Sequence, residues 1–247
     1  MKSSPKEREL AHWRSLKERA DQILGWQTPQ GSARADRRAR LFREMARMHS
    51  RSVVLEVGCG TGEFAYRIAP HVGELWATDL SPDLLSKCAA KVQRNAPASN
   101  VTFQIQDITE LQLPAGKFDA VYGCSVLHHV NVRLALREIH RVLKIGGWSV
   151  FSEPNMLNPQ IALQKNIPYI KRRVGDTPDE TAFFPWELRR LLREAGFAEL
   201  SVLNFDFLHP LVPPRWIPFV EKVGLLLERL PVVRAFSGSL IFAAKKS

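Results

Sequence analysis

From residue 52 onward the chain alternates short apolar runs with longer amphipathic stretches. Residues 52–57, 74–78, 101–106, 118–124 and 148–152 are brief runs rich in Val, Leu, Ile and Phe, the length and composition of buried strands. Between them, 62–70, 82–95 and 131–143 carry apolar residues at helical spacing. Strands alternating with helices predict parallel pairing through right-handed crossovers, hence an open, doubly wound α/β sheet. After the fifth run the rhythm breaks. Residues 154–184 contain four prolines and read as a lid or insertion. A helix follows, with Pro185 suited to its first position and Gly196 past its end. Two final strands are expected at 200–208 and 239–244, separated by a Pro-rich apolar excursion at 209–237. Ahead of the alternating region, Leu10, Trp13, Leu16, Ala20 and Ile23 fall at helical spacing within 5–24. Residues 26–32 read as a linker, and a second amphipathic helix at 34–49 has Leu41, Phe42, Met45 and Met48 on its apolar side. The expected organisation is a helical segment at 1–50 and a domain at 51–247 that carries 154–184 and 209–237 as insertions.

Composition changes this picture in one respect. A chain of 247 residues with 45% hydrophobic residues has enough core to fold without metal or disulfide staples, which excludes disordered and collagen-like classes. The charge is less ordinary. Of the net +10, residues 1–50 contribute +6, with twelve Lys/Arg against six Asp/Glu. Such a basic head raises a nucleic-acid or membrane partner as a question. Cys59, Cys88 and Cys124 have no short pairing or metal-ligand spacing and read as reduced thiols. The first residues are too charged for a signal peptide, and no apolar run approaches the ~18 residues that span a bilayer. A cytoplasmic location is expected, with the inner face of a membrane as a variant of it.

The stretch richest in chemistry is Glu56-Val57-Gly58-Cys59-Gly60-Thr61-Gly62, where an apolar strand enters a glycine turn before a helix. Glycines permit a sharp turn and a close approach of backbone to ligand, and a helix N-terminus offers unpaired N–H groups. A dinucleotide fingerprint wants its third glycine at 63, which is Glu63, a group expected to repel the phosphates of a dinucleotide. No Gly-Lys-Ser/Thr follows, so a phosphate-binding P-loop is excluded. Asp79 ends the second strand, where a carboxylate can accept from both hydroxyls of a ribose. Asp107 ends the third, placed to accept from an adenine amino group; for either aspartate the alternative is a helix cap.

These motifs, in this order, resemble the class I S-adenosylmethionine-dependent methyltransferases, and the type 11 branch with small-molecule and lipid acceptors among them. Glu56-x-Gly58-x-Gly60-x-Gly62 is similar to their first motif, Asp79 to their ribose position and Asp107-Ile108 to their adenine position. The stretches 118–121 and 125–130 resemble their fourth strand and the loop after it. Leu143-Lys144-Ile145-Gly146-Gly147 resembles the turn before their fifth strand, with Ile145 where proline is usual. The resemblance implies a Rossmann-like seven-stranded sheet whose last strand runs antiparallel between the fifth and sixth. It also implies S-adenosyl-L-methionine as cofactor, held by Glu56, Gly58, Cys59, Gly60, Gly62, Asp79, Leu80, Asp107, Ile108 and Ser125.

Because the cofactor's methyl group is already activated, the protein mainly has to align an acceptor behind it. His128 and His129 follow the fourth strand and are candidates for a general base, His129 slightly ahead, since imidazole titrates near neutral pH. Glu153, at the end of the fifth strand, is a third candidate, with bonding to local backbone as its alternative. The remaining histidines lack partners at ligand spacing, and no metal site is expected. Substrate selection is expected from two insertions. In 154–184, Tyr169, Phe183 and Phe184 could close over an acceptor, with Lys171-Arg172-Arg173 facing an anionic group or forming a solvated turn. In 216–230, apolar residues leave only a narrow polar strip, so this helix is expected to be buried as an active-site cap or a dimer contact, with a membrane interface as the rival. The expected acceptor is small and organic, apolar or lipid-linked, and the protein a monomer or homodimer. An RNA methyltransferase, a non-catalytic cofactor-binding scaffold and a nicotinamide oxidoreductase stay open as alternatives. The interleaved acidic residues of the basic head argue against nucleic acid.

Overall fold

A computed structural model describes residues 25–174 and 180–247, together with Glu7, Leu10, Ala11, Arg14, Ala20 and Asp21. Most of the helix expected at 5–24 lies outside the described residues. The strands are β1 (Val53–Val57), β2 (Glu74–Asp79), β3 (Val101–Ile105), β4 (Phe118–Cys124), β5 (Leu143–Pro154), β6 (Phe197–Phe205) and β7 (Ser239–Lys246). Among the described residues they form one sheet in the order β3-β2-β1-β4-β5-β7-β6. The first five are mutually parallel, and β7 runs antiparallel between β5 and β6, the topology that the motifs implied.

Helices cover both faces. On one side lie α1 (Pro29–Met45), α2 (Ala65–Ile68) and α3 (Pro82–Asn95), and their Phe42, Ile68 and Cys88 share a core with Val54, Leu75 and Tyr122 of the sheet. On the other lie α4 (Val132–Val142) and α7 (Pro185–Glu194), packed on Phe118, Phe151 and Phe242. Local chemistry explains where these helices begin. Ser81 caps α3 by accepting from the Leu84 amide, with Pro82 in the first turn. Asn131 caps α4 in the same way through Leu134, and Ala135, Leu136, Ile139 and Val142 bury its inner face. Each large apolar side chain so buried contributes about 1.5–3 kcal/mol.

Four boundaries differ from the sequence expectation, each for a local reason. The region read as a linker is the start of α1, because Thr28 Oγ1 accepts from the Gly31 amide and Pro29, lacking an N–H, suits the first turn. β5 begins at Leu143, five residues early, and a register shift opposite Phe118–Ala120 absorbs the two glycines. β6 begins at Phe197, directly after Gly196 reverses the chain at φ +91°. The insertion 154–184 contains two short helices, α5 (Pro159–Asn166) and α6 (Pro168–Val174).

The largest departure concerns α8 (Ile217–Leu227), which together with α9 (Pro231–Arg234) fills the 209–237 excursion. Only Ile217 and Gly224 of α8 are buried. Gly224 sits against Phe207, and Glu228 at the helix end is held by both terminal nitrogens of Arg37 at 2.8 and 2.5 Å. This attachment leaves most of the apolar surface facing outward, with Phe219 and Leu226 each 58% exposed. The expected burial as a cap over the cleft is therefore corrected. The three lid aromatics are corrected as well: Phe183 is in the core, Phe184 stacks on Trp186 at 4.7 Å, and Tyr169 is exposed. No described helix is long and apolar enough to cross a membrane.

Candidate active site

A cavity of about 370 Å³ lies at the carboxyl ends of the parallel strands, the edge at which open α/β sheets bind ligands. The turn after β1 supplies Gly58 and Gly60, β2 and the start of α3 supply Asp79, Leu80, Ser81 and Leu84, and the segment after β3 supplies Gln106, Asp107 and Ile108. Ser125, Val126, His129 and Val130 follow β4, while Leu10, Trp26 and Arg34 close the cavity from the N-terminal segment. A more open groove of about 570 Å³ runs along the arginines of α1, among them Arg37, Arg40 and Arg43. No strand end contributes to its lining, so chemistry is assigned to the smaller cavity.

The glycine turn is built for close packing. Gly58 and Gly60 have φ of +66° and +53°, the left-handed region that glycine enters without penalty. A Cβ on Gly58 would meet Val126 Cγ2 at 2.5 Å, so backbone alone forms this part of the floor. Asp79 clamps the turn to the strand end: Oδ2 accepts from the Gly60 amide and Oδ1 from the Ser81 amide, both at 2.9 Å. Asp107 lines the cavity while its Oδ1 accepts from the amide and hydroxyl of Thr109, so it holds a local turn and caps no helix.

Three residues expected at the cofactor lie beneath the wall instead. Glu56 is buried and accepts from the Tyr122 hydroxyl at 2.9 Å; burial, with Asp79 nearby, pushes its carboxyl up to about 8. Cys59 is buried and its thiol is raised by contact with Cys88 and by burial. At Gly62 the constraint is packing, since a Cβ would lie 2.8 Å from both Cα and Sγ of Cys88. Glu63 also turns away from the cavity. It pairs with Arg67 at 2.5 Å and Lys91 at 3.0 Å, so repulsion of phosphates is not its part in the structure.

The catalytic candidates separate by position. Glu153 is sealed in the interior, accepting from the Val126 and Leu127 amides at 3.1 and 2.9 Å and contacting His128 Nδ1 at 2.6 Å. It does not reach the cavity, and its catalytic assignment gives way to one of holding the loop. His128 is buried with it. Burial and the adjacent His129 lower its pKa, so the 2.6 Å contact is a hydrogen bond from neutral imidazole to carboxylate. His129 stacks on His128 with ring centroids 4.1 Å apart and is the one of the three candidates on the cavity wall. Ser125 just before them holds φ +54°, a strained conformation for a serine, and its amide donates to Ser152 O at 2.8 Å.

The sequence reading missed Glu180, whose Oε1 lies 3.7 Å from His129 Nδ1. His128, His129 and Glu180 offer one ligand atom each within 4.8 Å of one another, a spacing a metal could use. Protein partners already serve this cluster: Lys165 Nζ lies 2.9 Å from Glu180, and Glu153 engages His128. No spacing in the chain announced Glu180, because it comes from the end of an insertion.

A family model described as a methyltransferase domain matches residues 54–147. The ubiquinone/menaquinone biosynthesis C-methyltransferase UbiE of Rhizobium johnstonii is 30% identical over 172 residues, covering 62% of this chain and 67% of that protein. Phosphoethanolamine N-methyltransferase 3 of Arabidopsis thaliana is 28% identical over 165 residues, 64% of this chain, which spans only 31% of that longer protein. Among solved structures, phosphoethanolamine N-methyltransferase 2 of Haemonchus contortus, in complex with S-adenosyl-L-methionine, superposes with a TM-score of 0.69 at 16% identity, covering 99% of this chain and 60% of that one. The cavity suits that cofactor, with a backbone floor at Gly58 and Gly60, a carboxylate at the end of β2 and an apolar slot between Leu80, Leu84 and Ile108. On sequence, topology and site together, the chain belongs to the class I S-adenosylmethionine-dependent methyltransferases.

Proposed function

We propose that the protein methylates a small organic acceptor, apolar or lipid-linked, in the cavity at the carboxyl edge of the sheet. S-adenosylmethionine supplies a methyl group already activated on its sulfonium sulfur. Asp79 accepts from the ribose hydroxyls, Asp107 and Ile108 receive the adenine, and Gly58 and Gly60 give the chain's closest approach to the ligand. His129 faces the acceptor and takes its proton when the acceptor is a hydroxyl. Glu153 and His128 hold the loop that carries it. Proximity and orientation can account for up to ~7–11 kcal/mol of such a barrier.

The observation that supports an apolar or lipid-linked acceptor is the surface of the 209–237 segment. Leu211, Trp216, Phe219, Leu226, Val232 and Phe236 are exposed together with the cations Arg215, Lys222, Arg229 and Arg234. Apolar side chains within a basic rim suit the headgroup region of an anionic membrane. The protein on this reading works at the inner face of a membrane. Two of the similar proteins are named for small-molecule chemistry, one for ubiquinone/menaquinone biosynthesis and one for phosphoethanolamine.

Incubation with cofactor labelled in the methyl group, alongside separate lipid, small-molecule and RNA extracts, tests the proposal. Label is expected in the lipid or small-molecule fraction. Label in RNA alone refutes it, and binding of cofactor with no label in any fraction points to a scaffold.

A further inference from the structure

A second cavity, of about 180 Å³, adjoins the cofactor cleft and shares Trp26, Arg34 and Ser125 with it. Three cations line it: Arg34 and Arg38 from α1 and Lys165 from α5. Their counter-charges sit outside the lining. Asp206 accepts from Arg34 Nε at 2.8 Å and Arg38 Nη2 at 2.6 Å, and Glu180 accepts from Lys165 at 2.9 Å.

The two arginines are not equivalent. Arg38 is fixed by Ser152, Ser239 and the Arg34 carbonyl as well as by Asp206. Arg34 has one side-chain hydrogen bond among the described residues, through Nε to Asp206 and not through its two terminal nitrogens, and it lines both cavities. A planar guanidinium fork matches a carboxylate or phosphate bidentately. Burial and the neighbouring Arg38 lower the pKa of Arg34, while its pair with Asp206 opposes the shift. Trp26, Pro154 and Ile161 give the same cavity an apolar side for a carbon body.

We propose that this cavity binds an anionic group of the methyl acceptor, a carboxylate or phosphate, through the Arg34 fork and Lys165, while the acceptor atom reaches past Ser125 toward His129. The inference rests on the cleft being the methyl-transfer site. It also gives anion recognition a different place from Lys171-Arg172-Arg173, for which it was one of two readings. Lys171 donates to the Glu180 carbonyl at 2.6 Å, Arg173 is exposed, and Arg172 lies outside the described side chains.

The test is calorimetric titration of the full chain, saturated with S-adenosylhomocysteine, with benzoate, phenyl phosphate and the neutral isostere benzyl alcohol. At least one anion is expected to bind about tenfold or more tighter than the alcohol, and the two anionic arms tell carboxylate from phosphate. Lys165→Gln and Arg34→Gln are each expected to erase most of that preference. Lys165 is absent from the cofactor cavity, so its variant should keep S-adenosylhomocysteine affinity within about threefold, which also reports that it folds. Equal binding of the alcohol, no binding of either anion at millimolar concentration, or a preference that survives both substitutions overturns the proposal. So does displacement of the anions by S-adenosylhomocysteine, because the fork would then serve the cofactor's own carboxylate. Failure of the unmodified protein to bind S-adenosylhomocysteine would instead remove the underlying site reading.

Discussion

Replacing Glu153 separates a loop-holding carboxylate from a catalytic one. Its carboxylate is fully buried and accepts from two backbone amides, at 3.1 and 2.9 Å, and from His128 Nδ1 at 2.6 Å. Glu153→Ala removes the acceptor for all three and leaves the Leu127 amide and the His128 ring N–H in a buried place. An unsatisfied buried donor costs about 1–3 kcal/mol, and two such donors are left. A loss of about 2–6 kcal/mol is therefore expected from urea unfolding, seen as a lower midpoint at an unchanged slope. Glu153→Gln keeps one oxygen for the two amides but turns an NH₂ toward His128, which must then carry its proton on Nε2. Its expected cost is about 1–3 kcal/mol, and nitrogen NMR of the imidazole should show the change of tautomer. S-adenosylhomocysteine affinity should hold in the Gln variant while methyl transfer falls, because His129 rides on the same loop. An alanine variant within about 1 kcal/mol of the parent, or a His128 that keeps its Nδ1 proton opposite Gln, would refute the assignment.

Other expectations follow from the same packing. Asp79→Ala should weaken S-adenosylhomocysteine binding by tenfold or more, on the order of 1.4 kcal/mol or above, and unchanged affinity in calorimetry would count against the clamp. Gly62→Ala places a methyl 2.8 Å from Cys88 at φ +86° and should cost about 2–5 kcal/mol in chemical denaturation; a neutral result would mean the turn can move. Glu56 has its folded pKa raised from 4.5 to about 8, so the stability this group contributes is complete below pH 4.5 and is lost as pH rises toward 8. At ~1.36 kcal/mol per pKa unit the span is up to about 5 kcal/mol, and Glu56→Gln should flatten stability between pH 5 and 8.5; parallel curves for parent and variant would dismiss a protonated Glu56. Charges placed in the outward apolar face, Phe219→Glu with Leu226→Glu, should leave the melting temperature nearly unchanged and abolish flotation with anionic vesicles, and retained flotation would exclude this face as the contact.

Much of the fold was legible because its signals are local. The strand β4 and the helix α3 fall on the residues that periodicity marked, and Ser81 and Pro82 announce the start of α3 by chemistry confined to four positions. The glycine turn was legible too, although its three glycines do different things: Gly58 and Gly60 line the cavity, while Gly62 admits α3. Glu56 and Cys59 were misplaced because the spacing of a motif reports which residues share a turn and not which way each one points.

What the amino-acid order determined by itself was the alternation of strand and helix, the glycine turn after β1, and the carboxylate at the end of β2. These depend on dihedral preferences and on burial periods of two and 3.6 residues, which neighbours along the chain decide. Only the tertiary structure decided which charges meet. Arg34 and Arg38 reach Asp206 across 172 and 168 residues, and this contact sets both arginines in the wall of a cavity. The same holds for α8, whose composition predicted burial and whose attachment through Gly224 and Glu228 turned it outward. Burial and charge pairing are set by the surface a segment is brought against, and crossovers of a sheet bring together residues that no local pattern connects.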